Sequence, residues 1–156
     1  MVLSVVKETG LNPHDLELEI TESVVMESFE EISTKLEFLK GKGIGVALDD
    51  FGTGYSSLSY LRQLPITTLK IDKSFIDGVP GSGDSMPLAG SIVAIGHDMG
   101  LKVTAEGVET ADQLDFLEEV GCDKIQGYLI SRPIPQDEVE DWMRRYEPWT
   151  ADMRKV

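Results

Sequence analysis

Five short apolar runs in this chain each end with a polar residue that could do chemistry. In GVALDDF (45–51), Val46 and Leu48 share one face of a strand and Ala47 and Asp49 the other, because side chains alternate; a second acid, Asp50, follows at once. LELEITE puts Glu17 and Glu19 opposite Leu16, Leu18 and Ile20, and TLKID puts Lys70 and Asp72 opposite Leu69 and Ile71. LKVTAEGVE sets Thr104 and Glu106 against Val103 and Ala105, and KIQGYL sets Lys124, Gln126 and Tyr128 against Ile125 and Gly127. Glu19, Asp49, Lys70, Glu106 and Gln126 therefore occupy one parity near the C-terminal ends of five strands. Turned toward a common interior, several carboxylates are prohibitively costly without a cation. Hard divalent cations prefer carboxylate oxygens, so the pattern argues for a metal site.

The elements between these runs are those a parallel sheet requires. The opening residues read as a helix stopped at Gly10, with Pro13 beyond it. Ser28 with Glu31 predicts a capping box for a helix carrying Ile32, Leu36 and Leu39, and Thr110 with Gln113 predicts another for ADQLDFLEEVG. Leu58, Tyr60, Leu61 and Leu64 follow the glycine-rich turn at helical spacing until Pro65, and 78–90 reads as a loop. A closing amphipathic helix is predicted after Pro135. The fold class is α/β: about five parallel strands with outer helices, an incomplete set if the sheet belongs to a barrel. A closed barrel needs eight strands and roughly 250 residues.

Composition bounds the partners. At 41% hydrophobic and 27% charged residues, 156 residues can build one domain with a sizeable core. A formal charge of −14 argues against DNA or RNA, since phosphate is repelled unless a cation intervenes. One cysteine, Cys122, rules out an internal disulfide, and no apolar run approaches the roughly 20 residues of a membrane span. A cytoplasmic setting is expected, with any membrane anchor elsewhere in a parent protein. His97 falls in an outer-layer helix and His14 in a turn, so neither reads as a ligand, and Cys122, just before a strand, reads as a small buried hydrophobe.

Together the segments EITES (19–23), DDFGTGYSSL (49–58), LKID (69–72), AEGVET (105–110) and QGYLISRPIP (126–135) resemble the C-terminal part of an EAL-domain phosphodiesterase, the bacterial family that hydrolyses cyclic di-GMP. The resemblance covers residues 1–149 and leaves 150–156 as a tail. It implies a partial TIM-like (β/α) barrel that lacks its N-terminal strands, with a two-metal site of Mg²⁺ or Mn²⁺ at its C-terminal rim. Glu19 resembles a ligand of the first metal, Asp49 the carboxylate bridging both, and Asp50 and Glu106 ligands of the second. Lys70 resembles the lysine that hydrogen-bonds the attacking water, and Gln126 the glutamine completing that shell. Glu22 resembles the glutamate bracing the loop after the acidic pair, formed by Phe51, Gly52, Thr53, Gly54, Tyr55, Ser56 and Ser57; Glu109 resembles a supporting glutamate. A homodimer and upstream regulatory or sensor domains are further implications. The tripeptide that names the family is absent, as is the strand carrying the family's asparagine ligand.

Each residue has a plainer structural role open to it. Asp49 and Asp50 can cap the helix near Tyr55, Glu106 and Glu109 can partner the dipole of the helix after Thr110, Lys70 can snorkel, and Gln126 can be a satisfied core amide. Recurrence on five strands favours a shared site. The leading expectation is hydrolysis of cyclic di-GMP to linear pGpG by the complete domain. A non-catalytic cyclic di-GMP receptor and an inactive truncated product remain alternatives.

Overall fold

The computed structural model describes residues 1–52, 58–79 and 85–146. The five expected strands are β1 (Glu17–Thr21), β2 (Gly45–Phe51), β3 (Thr68–Ile71), β4 (Lys102–Glu106) and β5 (Lys124–Gln126). They pair in parallel in sequence order, with β1 and β5 as the edges. Helices α1 (Val2–Thr9), α2 (Glu22–Glu27), α3 (Phe29–Lys40), α4 (Leu58–Leu61), α5 (Lys73–Ile76), α6 (Ser85–Asp98), α7 (Ala111–Glu119) and α8 (Val139–Arg145) precede, connect and follow them. Among the described residues no helix is long and apolar enough to cross a membrane.

One face of the sheet makes the core. Val46, Leu48, Leu69, Ile71, Val103 and Ala105 are at most 1% exposed, and they belong to one apolar cluster with Leu36, Ile92, Val93 and Leu117 from the helices. Burying a large aliphatic side chain contributes about 1.5–3 kcal/mol, so this face fixes the register of every strand. The parity opposite, predicted to be polar, carries Glu19, Ala47, Asp49, Thr68, Lys70, Thr104, Glu106 and Gln126, as the strand pairing requires.

Several local expectations are corrected. Ser28 does precede α3, but its side chain makes no capping hydrogen bond. It joins α2 directly to α3 with ψ 56°, far from the extended geometry that lets an N-cap hydroxyl reach the first turn. Thr110, at φ −127° and ψ 155°, has that geometry and completes its box with Gln113. The run 78–90 is not wholly loop, because α6 begins at Ser85; a proline in the first turn of a helix forfeits no intrahelical hydrogen bond. The last strand ends at Gln126 instead of continuing through Leu129, since the chain turns back and the Leu129 amide donates to the Val108 carbonyl. Gly127 permits that turn: a Cβ there would collide with the backbone of Val108.

Candidate metal centre

Lys70 stands at the centre of the polar face. Only 4% exposed, its Nζ lies 2.7 Å from Glu19 Oε1, 3.2 Å from Asp49 Oδ1 and 2.6 Å from Glu106 Oε1. The three acids come from β1, β2 and β4, so a single ammonium on β3 gathers carboxylates from three other strands. Burial disfavours the charged lysine, yet the hydrogen bonds it donates to Glu106 and Glu19 and the nearby negative charge outweigh it, holding the ammonium above the ordinary lysine range.

A regular strand sends adjacent residues to opposite faces, so Asp49 and Asp50 should diverge. They do not. Leu48 pairs with Leu69 and Phe51 with Ile71, so β2 advances three residues while β3 advances two, which inserts one extra residue as a bulge. Asp50 takes it up at φ 56°, a left-handed conformation in which aspartate is tolerated. Carboxylate oxygens of Asp49, Asp50 and Glu106 then lie within 4.8 Å of one another. The bulge also returns Phe51 to the core face; expected in the loop, Phe51 is instead the last residue of β2 and only 8% exposed.

This set suits a hard divalent cation. Metal–oxygen distances of about 2.0–2.6 Å let one ion span oxygens about 4–5 Å apart. Glu19, Asp49 and Glu106 meet on one ammonium with Asp50 beside Asp49 and Glu106, an acidic set whose oxygens suit a divalent cation. Glu19 is the most open of the three acids on Lys70, its side chain 52% exposed on the edge strand. Gln126 is level with Glu106 across the β4–β5 pairing, with its side chain exposed.

The supporting residues fall around this centre. Glu22, 4% exposed at the start of α2, accepts a 3.4 Å hydrogen bond from the amide of Gly52, just past the acidic pair. Thr53, Gly54, Tyr55, Ser56 and Ser57 lie outside the described residues. Glu109 accepts a hydrogen bond from Lys73, and its backbone amide donates to Gln113 Oε1 at 2.7 Å. Gln113 also accepts from the Thr110 amide and donates Nε2 to the Ile76 carbonyl, so one buried amide ties the loop after β4 to α5. The capping motif marked Gln113 in the sequence, but only the fold reveals the contact with α5. Lys73 had no motif to announce it.

Comparison with known proteins fits this arrangement. The chain is 47% identical over 140 residues to the cyclic di-GMP phosphodiesterase NbdA of Pseudomonas aeruginosa, covering 90% of this chain and 18% of that protein. It superposes on the EAL domain of Mycobacterium smegmatis DcpA with a TM-score of 0.86 and 42% identity, over 92% of this chain and 65% of that one. On Klebsiella pneumoniae BlrP1, solved with manganese and cyclic di-GMP, the TM-score is 0.78 at 35% identity, over 85% and 34% of the respective chains. The chain thus spans about a fifth of the length of such curated relatives, and its five strands correspond to part of a TIM-like barrel. The EAL domain profile matches residues 2–133, and with the acidic strand ends in the order described, this chain belongs to the EAL domain family.

Proposed function

We propose that this chain forms part of the catalytic barrel of a cyclic di-GMP phosphodiesterase, opening one phosphodiester of the cyclic dinucleotide to give linear pGpG. The observation that carries the reading is the single buried ammonium of Lys70 among carboxylates from three strands, with Asp50 re-aimed beside them. Asp49, Asp50 and Glu106, with Glu19 opposite, would hold Mg²⁺ or Mn²⁺. Bound there, the ions supply Lewis acidity toward water and phosphate at neutral pH.

The chain's own residues do the rest. Lys70 aligns Asp49 and Glu106 and presents N–H donors to the attacking water and to charge developing on phosphate. Gln126 completes the water shell from β5. Glu22 braces the chain after Asp50, while Phe51 anchors the end of β2 in the core. Glu109 and residues 53–57 support the site, and residues 53–57 couple it to a homodimer partner. The whole protein carries further barrel strands and regulatory domains, and acts on its dinucleotide in the cytoplasm.

The test uses a protein that joins this chain to the remaining barrel strands. With Mn²⁺ it should convert cyclic di-GMP to pGpG, followed by chromatography of the nucleotides. Asp49→Asn should lower the rate by about 100-fold or more. Tight binding of the dinucleotide with no turnover under saturating Mn²⁺ would instead establish a receptor.

A further inference from the structure

The one-turn helix α5 touches the exits of two of the acidic strands, β2 and β4. Asp72 caps it, accepting from the Ser74 amide at 3.0 Å. From its first residue, Lys73 crosses to the loop after β4, where Nζ lies 2.5 Å from Glu109 Oε1. The methylene stem of Lys73 covers Gly107, the residue directly after Glu106; at φ 68°, a Cβ at Gly107 would run into that stem. From its third residue, Phe75 reaches the other side, its ring lying where a Cβ on Gly52 would be, 2.8 Å from Cζ. At its last residue, the Ile76 carbonyl accepts from Gln113, which also holds the Glu109 amide.

We infer that Lys73 is a positioning residue of the metal site, acting from α5 to fix the backbone that presents Glu106. The inference rests on the proposed function and extends it to a residue that makes no contact with the carboxylate cluster. An exposed ion pair by itself contributes little stability, and Lys73 and Glu109 are both more than 40% exposed. Packing of the stem on Gly107 is different in kind. It restrains the dihedrals immediately after a ligand, where a shift of a fraction of an ångström changes how an oxygen meets a cation.

The protein that joins this chain to the remaining barrel strands is titrated with Mn²⁺, and free ion is read by electron paramagnetic resonance, for the unsubstituted protein, Lys73→Met, Lys73→Arg and Glu109→Gln. Lys73→Met should weaken Mn²⁺ binding about 10–100-fold, as removal of outer supports of metal ligands does. Its metal-free urea midpoint should barely move, and Lys73→Arg should restore most of the affinity. Glu109→Gln should weaken binding less than Lys73→Met, because the stem contact survives. Equal Mn²⁺ affinity in Lys73→Met and the unsubstituted chain overturns the inference and leaves the proposed function standing. A lost affinity matched by an equal loss of metal-free stability and not rescued by arginine also overturns it. Failure of the unsubstituted joined protein to bind Mn²⁺ overturns both.

Discussion

Lys70 does the work of a counter-ion, and removing it should show what its neighbours require. Breaking a buried charge cluster by taking away one partner costs several kcal/mol where the partners are sealed from water; here Glu19 is half exposed, so Lys70→Met should destabilise the metal-free chain by up to about 3 kcal/mol. Added Mn²⁺ should then raise the melting temperature of Lys70→Met more than that of the unsubstituted chain, because the cation also relieves the uncompensated carboxylates. Calorimetric melting with and without the metal reads this, and an equal rise in both would mean that the carboxylates do not share one cation site. The parity of Glu19, Asp49, Lys70 and Glu106 is legible in the sequence because alternation along a strand is a short-range rule. The direction of Asp50 is not, since it depends on a bulge defined by how β2 pairs with a strand some twenty residues away.

At the scale of elements, the loop after β4 is held by side chains instead of by strand pairing. Gln113 is 5% exposed and serves the Glu109 and Thr110 amides and the Ile76 carbonyl together, so Gln113→Ala should cost about 2–3 kcal/mol in urea unfolding through the donors and acceptor it leaves bare. A loss below about 0.5 kcal/mol would show that water replaces the amide freely. Gly127→Ala should be worse, because the added methyl meets the Val108 backbone, which cannot move aside as a side-chain tip can; it is expected to lower soluble yield and the unfolding midpoint sharply. The capping box at Thr110 was readable because its signal is local and its backbone is extended. The same pattern at Ser28 misleads, because α2 occupies the segment where the extended approach to a cap would run. The one-turn helix α5 is too short to leave a periodic signature, so the roles of Lys73 and Phe75 are not legible in the sequence.

Across the whole molecule, β–α alternation and the apolar parity of each strand made the parallel sheet legible, and the core residues are those the alternation selects. What alternation misses is the fastening between layers. His97 Nε2, near the end of α6, lies 2.9 Å from Asp123 Oδ2, which also accepts the Val103 amide at 2.8 Å, tying α6, β4 and the approach to β5 together. The hydrogen bonds from His97 and from the Val103 amide hold the Asp123 carboxyl below its ordinary range. A depressed carboxyl stabilises the fold above the unfolded pKa of about 3.9, and that contribution is lost as pH falls through the lower folded value. Urea unfolding from pH 6 to 3 should therefore show a shallower acid loss for Asp123→Asn than for the unsubstituted chain; parallel curves would assign the acid limb to other groups. The central claim, that carboxylates from separate strands converge to grip divalent cations, is tested most directly by anomalous diffraction at the manganese edge from crystals grown with Mn²⁺. The account predicts a peak bounded by Asp49, Asp50 and Glu106 at metal–oxygen distances of about 2.0–2.6 Å. Saturating Mn²⁺ with no peak there, and Lys70 still the only cation among its three acids, would contradict it.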